Sequence, residues 1–393
     1  MNEKATQPNT EKRHARVDVA DVLRGIAVLA IILLHFIEHF NFYSFPDAES
    51  RPEWLAFLDK AVWDSLFFTF AGKAYAMFAL LFGFSFFIQH DNQRMRGKDF
   101  RIRFCWRLFL LFCIGNFNAV FFTGEILVLY SLVGFVLVLT CRLSNRILVW
   151  LAAICILQPV CIWQIAGSIL SPGYEPMTIK DAPLWAATFD AQSNADFITM
   201  VKTNLVEGQL ASLAWAWNHG RVFQTAGIFM IGMLIGRQGW FGKQYIDKWG
   251  KALAIALICF FPLHGLNQMV PDYISDTRIL APLQIVLSSL ANLSFMVVLA
   301  SGIIYGYYCT KGISRVLSKI IPYGKMSMTN YVTQGIVGSF LFYHWGLFLH
   351  LGISESVACG ILVFIVQYAF CRFWVGRHSH GPLEYIWRRL TWI

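Results

Sequence analysis

About ten apolar runs, each close to the length an α-helix needs to cross a bilayer, follow one another along this chain, most of them separated by short polar breaks. They lie near 20–41, 64–89, 104–122, 124–141, 147–170, 222–240, 251–270, 281–309, 327–350 and 355–374. A water-soluble domain has no use for such a series. The sequence is 57% hydrophobic and only 14% charged, where a soluble domain carries about 25% charged residues. With 35 Phe and 14 Trp, much of the apolar surface has to face lipid. The expected fold class is therefore all-α, a polytopic integral membrane helical bundle of about ten transmembrane helices.

Charge sets the orientation. The net charge of +9 does not indicate nucleic acid, because the cations sit in short clusters between apolar runs, as topology signals do. With the amino terminus inside, the inner segments collect Lys4 to Arg16, Arg94 to Arg107, Arg142 and Arg146, Arg237 to Lys251, Lys311 to Lys325, and Arg372 to Arg389. These are most of the 32 Lys and Arg residues. Both ends are then cytoplasmic. The organisation reads as a cytoplasmic polar tail (1–18), a transmembrane bundle (19–374) with one long outer loop (171–221), and a cytoplasmic membrane-surface tail (375–393). The first residues lack the apolar stretch and cleavage site of a signal peptide. The nine cysteines, in or beside apolar segments and without a C-x-x-C pair, read as small apolar side chains. A tight turn around Gly124 joins the third and fourth spans as an outer hairpin with Glu125 at its tip. The outer loop has two weakly amphipathic stretches suited to lying on the membrane surface, where they could cover a site.

Ionisable groups within spans are costly and point to function. In DVADVLRGIAVLAIILLHFIEHF, Arg24 and His35 are eleven residues apart. At 3.6 residues per turn they share a helix face, about 16 Å apart along the axis, with Glu38 and His39 one turn beyond His35. A polar column along the first span is the expectation. It suits a transfer across the bilayer, in which Arg24 holds an anionic donor, His35 accepts a proton from an acceptor hydroxyl or amine, and Glu38 fixes the imidazole tautomer. Blander readings stand beside these: His35 and His39 as interfacial rings, and Arg24 snorkelling to inner headgroups. A metal site is not indicated, since His35 and His39 lack the H-E-x-x-H order and a third ligand. Lys73 in the second span either snorkels outward or lines a cavity. The cations of HDNQRMRGKDFRIRFCWR anchor the inner face or dock a phosphate-rich donor. Asn330 and Gln334, one turn apart in GKMSMTNYVTQG, either bind a neighbouring helix or contact substrate. The tail GPLEYIWRRLTW is amphipathic and basic and should lie on the inner surface.

These motifs, with RGIAVLAIILL, GKAYAMFALLFGFSF and GEILVLYSLVG, resemble the YeiB-like family of bacterial membrane proteins, defined by domain of unknown function 418. Its wider group is similar to the transmembrane acyltransferase superfamily, which includes acyltransferase family three and the lysosomal heparan-glucosaminide acetyltransferase. The resemblance implies transfer of an acyl group, usually acetyl, from a cytosolic acyl-CoA to an acceptor at the other face. Members of acyltransferase family three carry an arginine and a histidine with ten residues between them, the spacing of Arg24 and His35. YeiB-like members often have asparagine at the second position, and His35 departs from that toward the enzymatic pattern.

The leading expectation is thus a multi-pass protein of the bacterial cytoplasmic (inner) membrane acting as an O- or N-acyltransferase on an extracytoplasmic glycan, glycolipid or small molecule. His35 and Glu38 would be catalytic, and Arg24, Lys73, Asn330 and Gln334 would contact substrate. No tightly bound cofactor is expected, acetyl-CoA or another acyl-CoA being a donor substrate. The lipid bilayer is the expected partner, with no nucleic acid. A transporter or exporter of a small solute or lipid, or a non-catalytic scaffold, is the alternative.

Overall fold

The structure is a computed structural model describing residues 17–42, 44–47, 51–171 and 173–393. Most of the polar tail expected at 1–18 therefore lies outside the described residues. Among those described, every regular element is helical. The chain opens with α1 (Asp18–Ile37), α2 (Glu53–Phe70), α3 (Ala74–Arg94), α4 (Arg101–Ala119), α5 (Ile126–Val133), α6 (Phe135–Thr140), α7 (Asn145–Ile156) and α8 (Pro159–Leu170). Three shorter helices follow, α9 (Ala182–Asn194), α10 (Phe197–Thr203) and α11 (Gln209–Asn218), the last two joined by a π-helical turn at Asn204–Gly208. Next come α12 (Arg221–Gln238), α13 (Ile246–Tyr273), α14 (Thr277–Cys309), α15 (Lys311–Ser318) and α16 (Ile321–Lys325). The chain closes with α17 (Ser327–Phe342), α18 (Ile353–Val375) and α19 (Pro382–Thr391).

Five stretches are long and apolar enough to cross a membrane: α1, the α2–α3 run, the run ending in α13, α14 and α18. Counting the bent α7–α8 pair as one span makes six. The remaining expected spans fall short for local reasons. Arg101, Arg103 and Arg107 lie within α4, Arg221 and Arg237 within α12, the α5–α6 run Ile126–Thr140 is too short, and α17 is only 16 residues long.

Several boundaries differ from the sequence expectation. The run 64–89 is two helices, because Gly72 adopts φ +74° and breaks the chain between α2 and α3. Only glycine takes this conformation without strain. The run 147–170 bends by 53° between α7 and α8. There Pro159 supplies no N–H, and Gln158 before it is driven out of the helical region to φ 59°. The run 327–350 stops being helical at Phe342. Residues beyond it fold back, with Leu347 N–H donating to the Phe340 carbonyl at 2.8 Å and Leu349 N–H to that of Leu341 at 2.9 Å.

Helix α1 sits at the centre. Of its apolar window 72% is inside the protein, against 11% for α13. The α13–α14 hairpin turns Ile258, Phe261 and Ile255 outward, the surface a lipid-facing helix presents. Where α1 crosses α16 the backbones touch, since Gly25 and Gly324 have no room for a Cβ. Helix α19 is docked as well as amphipathic. Both carboxylate oxygens of Glu384 accept bonds at the start of α17, from the N–H groups of Met328 (2.7 Å) and Thr329 (3.0 Å) and the Thr329 hydroxyl (2.6 Å). Arg103 and Arg107 reach back to Thr391, and Arg107 stacks on Trp387 at 3.5 Å. The two motifs GKMSMTNYVTQG and GPLEYIWRRLTW are thus joined in space by a helix cap.

Candidate functional site

The helices gather their ends into two polar regions. One, the histidine end, is a cavity of about 740 Å³. It is bounded by the last turn of α1, the α2–α3 break, the hairpin tip before α5, the start of α12, and α9 and α11 from the long loop. The other, the basic end, is a cavity of about 960 Å³ lined by Arg94, Lys98, Arg142 and Arg237 together with Asp91 and Asp99.

At the histidine end, His35, Glu38 and His39 all reach the cavity. The His35 ring stacks on Phe122 with centroids 4.3 Å apart and stands edge-on to Tyr331 at 6.0 Å. Its Nδ1 lies 3.3 Å from Nε2 of the buried Gln334. The two ends of a side-chain amide are interchangeable in such an assignment. With the amide oxygen turned to the ring, Nδ1 holds the proton and Nε2 is left as the basic nitrogen. Glu38 does not meet His35; its Oε2 lies 3.6 Å from Nδ1 of His39. Gln334 on α17 is therefore the side chain that orients His35, a role the sequence reading gave to Glu38.

Glu125 lines the same cavity although it is only 3% exposed. Its oxygens accept bonds from the Leu127 N–H and the Asn118 amide, so it caps α5 while facing the cavity. Gly124 beside it leaves space for the neighbouring rings: a Cβ there would stand 2.7 Å from both His39 Nε2 and Phe122 Cζ.

The loop helices form part of the wall through Asp181, Trp185, Phe189, Ser212 and Trp215. A ladder of buried amides fastens them to the α4–α5 hairpin. Gln192 donates to Thr123 Oγ1 (3.2 Å) and Asn204 Oδ1 (3.0 Å), and Asn204 to the Val120 carbonyl (2.9 Å). Gly208 in the π-turn lies so close to Thr123 that a Cβ would stand 2.7 Å away.

The remaining sequence candidates lie elsewhere. Lys73 is buried just behind the cavity wall, its Nζ 3.4 Å from the Phe67 carbonyl and about equally far from the rings of Phe68 (5.9 Å) and Phe295 (5.8 Å). Arg24 lines neither cavity; it donates to Asp21 Oδ1 at 2.5 Å and Ser85 Oγ at 2.6 Å. Asn330 knits helices together, donating to the Tyr323 carbonyl at 3.0 Å and accepting from Cys371 Sγ, while its own carbonyl accepts from Gln367. Between Arg24 and His35, α1 is apolar at every position, and Ala27, Val28 and Ile32 are packed in the core. The expected polar column is thus two separate polar groups on one helix.

Sequence reasoning did not single out Tyr75, Gln224 or Arg221. The Tyr75 hydroxyl donates to Gln224 Oε1, which also accepts from Arg221 Nη1 at 3.0 Å. The Arg221 guanidinium lies over the Tyr75 ring at 4.3 Å and 5.5 Å from the Trp215 centroid. Arg221 opens a span, where a cation reads as a membrane anchor, and only folding places it beside a cavity.

At the basic end the cations are partly neutralised. Arg94 pairs with Asp91 at 3.2 Å and Arg142 with Asp99 at 3.3 Å, and hydrogen bonds from Arg101 hold the Asp99 carboxyl well below the usual carboxylate range. Arg237 is fixed to the carbonyls of Cys141 and Leu143. The lining still carries more positive than negative groups.

Helices able to span a bilayer, arranged around a cavity that holds an imidazole and carboxylates, define an all-helical chain of membrane-protein character with one candidate site. By sequence comparison, residues 235–393 of the chain match the family model described as "Protein of unknown function (DUF418)". It is 26% identical over 390 residues to the uncharacterized protein YeiB of Escherichia coli strain K12, covering 94% of this chain and 95% of that one. It is 25% identical over 417 residues to the uncharacterized protein YxaH of Bacillus subtilis strain 168, covering 96% and 94%. No solved structure matches the chain.

Proposed function

We propose that this protein is an acyltransferase of the bacterial inner membrane, with ten crossings and both ends in the cytoplasm. It would take an acyl group, acetyl in the simplest case, from an acyl-CoA at the basic end. The group would pass to an acceptor hydroxyl or amine at the histidine end, on the outer side. The observation that carries this reading is His35: an imidazole at the wall of a large cavity, held at Nδ1 by Gln334 and able to work through Nε2. Two further features support it. Cations cluster at the opposite ends of α3 and α12 from the histidine cavity, which accords with a cytoplasmic basic face. The basic cavity also suits phosphate groups better than Arg24 does, because Arg24 is already engaged by Asp21 and Ser85.

In this scheme the acceptor oxygen or nitrogen bonds to the acyl carbon and the thioester C–S bond breaks. His35 takes the acceptor proton and returns it to the leaving thiolate. Tyr75 borders one cavity and Phe87 the other. They are twelve residues apart on α3, about 18 Å, so the donor needs a long thin arm such as the pantetheine chain. Its path lies through the packed apolar region between the cavities.

A transporter is the second reading, favoured by the helix breaks at Gly72 and Gln158, since transporters bind solutes at interrupted helices. Purified protein in proteoliposomes separates the two. With acyl-labelled acetyl-CoA supplied at the basic face, the enzyme releases or transfers label and His35→Ala does not. Full activity in His35→Ala would remove the histidine mechanism, and solute flux without any donor turnover would favour transport.

A further inference from the structure

The histidine-end cavity is lined by the polar groups of His35, Glu38, Glu125 and Asp181, and the α2–α3 break and the start of α12 bring two cations, Lys73 and Arg221, together around Gly72. Among the described residues, no carboxylate lies within 4.0 Å of Arg221 or Lys73. Arg221 has five N–H donors, and its Nη1 donates to Gln224 Oε1. Its Nη2 stands at the cavity wall beside Gly72, where an added Cβ would lie 3.5 Å from it. Stacking on Tyr75 and Trp215 fixes the plane of the guanidinium, with Nη1 on Gln224 and Nη2 at the cavity wall. Lys73, directly after Gly72, adds a second positive charge from behind the wall. Two neighbouring cations without a counter-ion, one of them buried, are costly, and an incoming anion relieves that cost.

We propose that Arg221, reinforced by Lys73, anchors an acid group, a carboxylate or a phosphate, on the molecule that fills this cavity. With its acid at Arg221, the ligand would present its hydroxyl or amine to His35 in the same cavity. Resting on the acyl-transfer reading, this makes the acceptor an acidic compound such as a uronic acid or a phosphorylated sugar. The anion anchor itself does not depend on that reading.

The test is binding to the purified, detergent-solubilised full chain, measured by calorimetry at matched ionic strength with glucuronate, glucose 6-phosphate and glucose. At least one acid should bind saturably, about tenfold or more tighter than glucose, and the stronger of the two tells carboxylate from phosphate. Arg221→Gln should erase that preference, Arg221→Lys should keep part of it, and Lys73→Gln should weaken it less. A monodisperse elution profile for each variant excludes misfolding as the cause. His35→Ala should keep the preference for acid over glucose even where its affinity for both falls, so loss of transfer and loss of anchoring are read separately. Equal affinity for glucose, unchanged acid binding in Arg221→Gln, or no binding of either acid at millimolar concentration would each overturn the proposal.

Discussion

The two ends of α1 carry an ionisable side chain on the same helix face, yet their surroundings differ in kind. Arg24 is held by Asp21, which is fully buried, and by Ser85, and it lines neither cavity. His35 meets Gln334 at Nδ1, packs on Phe122 and Tyr331, and reaches the cavity. The lesson is that an ionisable residue in an apolar helix can serve the fold or a ligand. What decides is whether neighbouring helices complete its hydrogen bonds. The helix itself offers the same apolar backbone to both.

The sharpest way to break this comparison is to remove each group and read activity and stability separately. His35→Ala is expected to lower acyl transfer by about 10²- to 10⁴-fold, the range for loss of a positioned general base, with the melting temperature in detergent little changed. Arg24→Ala is expected to do the reverse. It removes the guanidinium from the buried Asp21 carboxylate and costs about 1–3 kcal/mol, seen as a lower melting temperature or yield, while the protein that remains folded keeps its specific activity. A specific activity that collapses in Arg24→Ala at unchanged stability would make the two ends alike and return Arg24 to the site.

A smaller effect is expected from Gln334→Leu, which keeps volume near His35 but removes the group that fixes its tautomer. Transfer should fall about tenfold, with Gln334→Glu retaining more of it than Leu does.

The smallest effect concerns the far end of α17, whose cap is Glu384. Burial raises this carboxyl's pKa, against the bonds it accepts from Thr329 and Met328. A carboxyl with a raised folded pKa binds its proton more tightly when folded, so its contribution is fullest below the unfolded pKa and is lost as pH rises through the folded one. Glu384→Gln imitates the protonated acid. Its melting temperature relative to the natural protein should therefore climb as pH rises through that window, and a difference that stays flat or shrinks would reject a raised pKa. Glu384→Ala removes the cap outright and should cost about 1–2 kcal/mol below the unfolded pKa and less as pH rises through the window.

The sequence by itself determined the helical class, because long apolar runs satisfy their backbone in lipid only as helices. It also determined the hairpin at Gly124 and the candidacy of Arg24 and His35, since eleven residues at 3.6 per turn return to one face. It could not divide the run 64–89 at Gly72, or end the ninth run at Phe342, because apolar composition does not distinguish a helix from a chain that breaks and folds back on itself. The family motifs were legible as patterns, but that Glu384 of one caps the helix of the other was not. The tertiary structure alone decided which polar residues face each other. It gave His35 to Gln334 rather than Glu38, enclosed Arg24 with Asp21 and Ser85, buried Asn330 among helices, and set Arg221 beside Tyr75 and Gln224. Each of these pairings joins residues far apart in the chain or depends on how a helix is rotated in the bundle. Packing against neighbouring helices sets that rotation, and local sequence does not encode it.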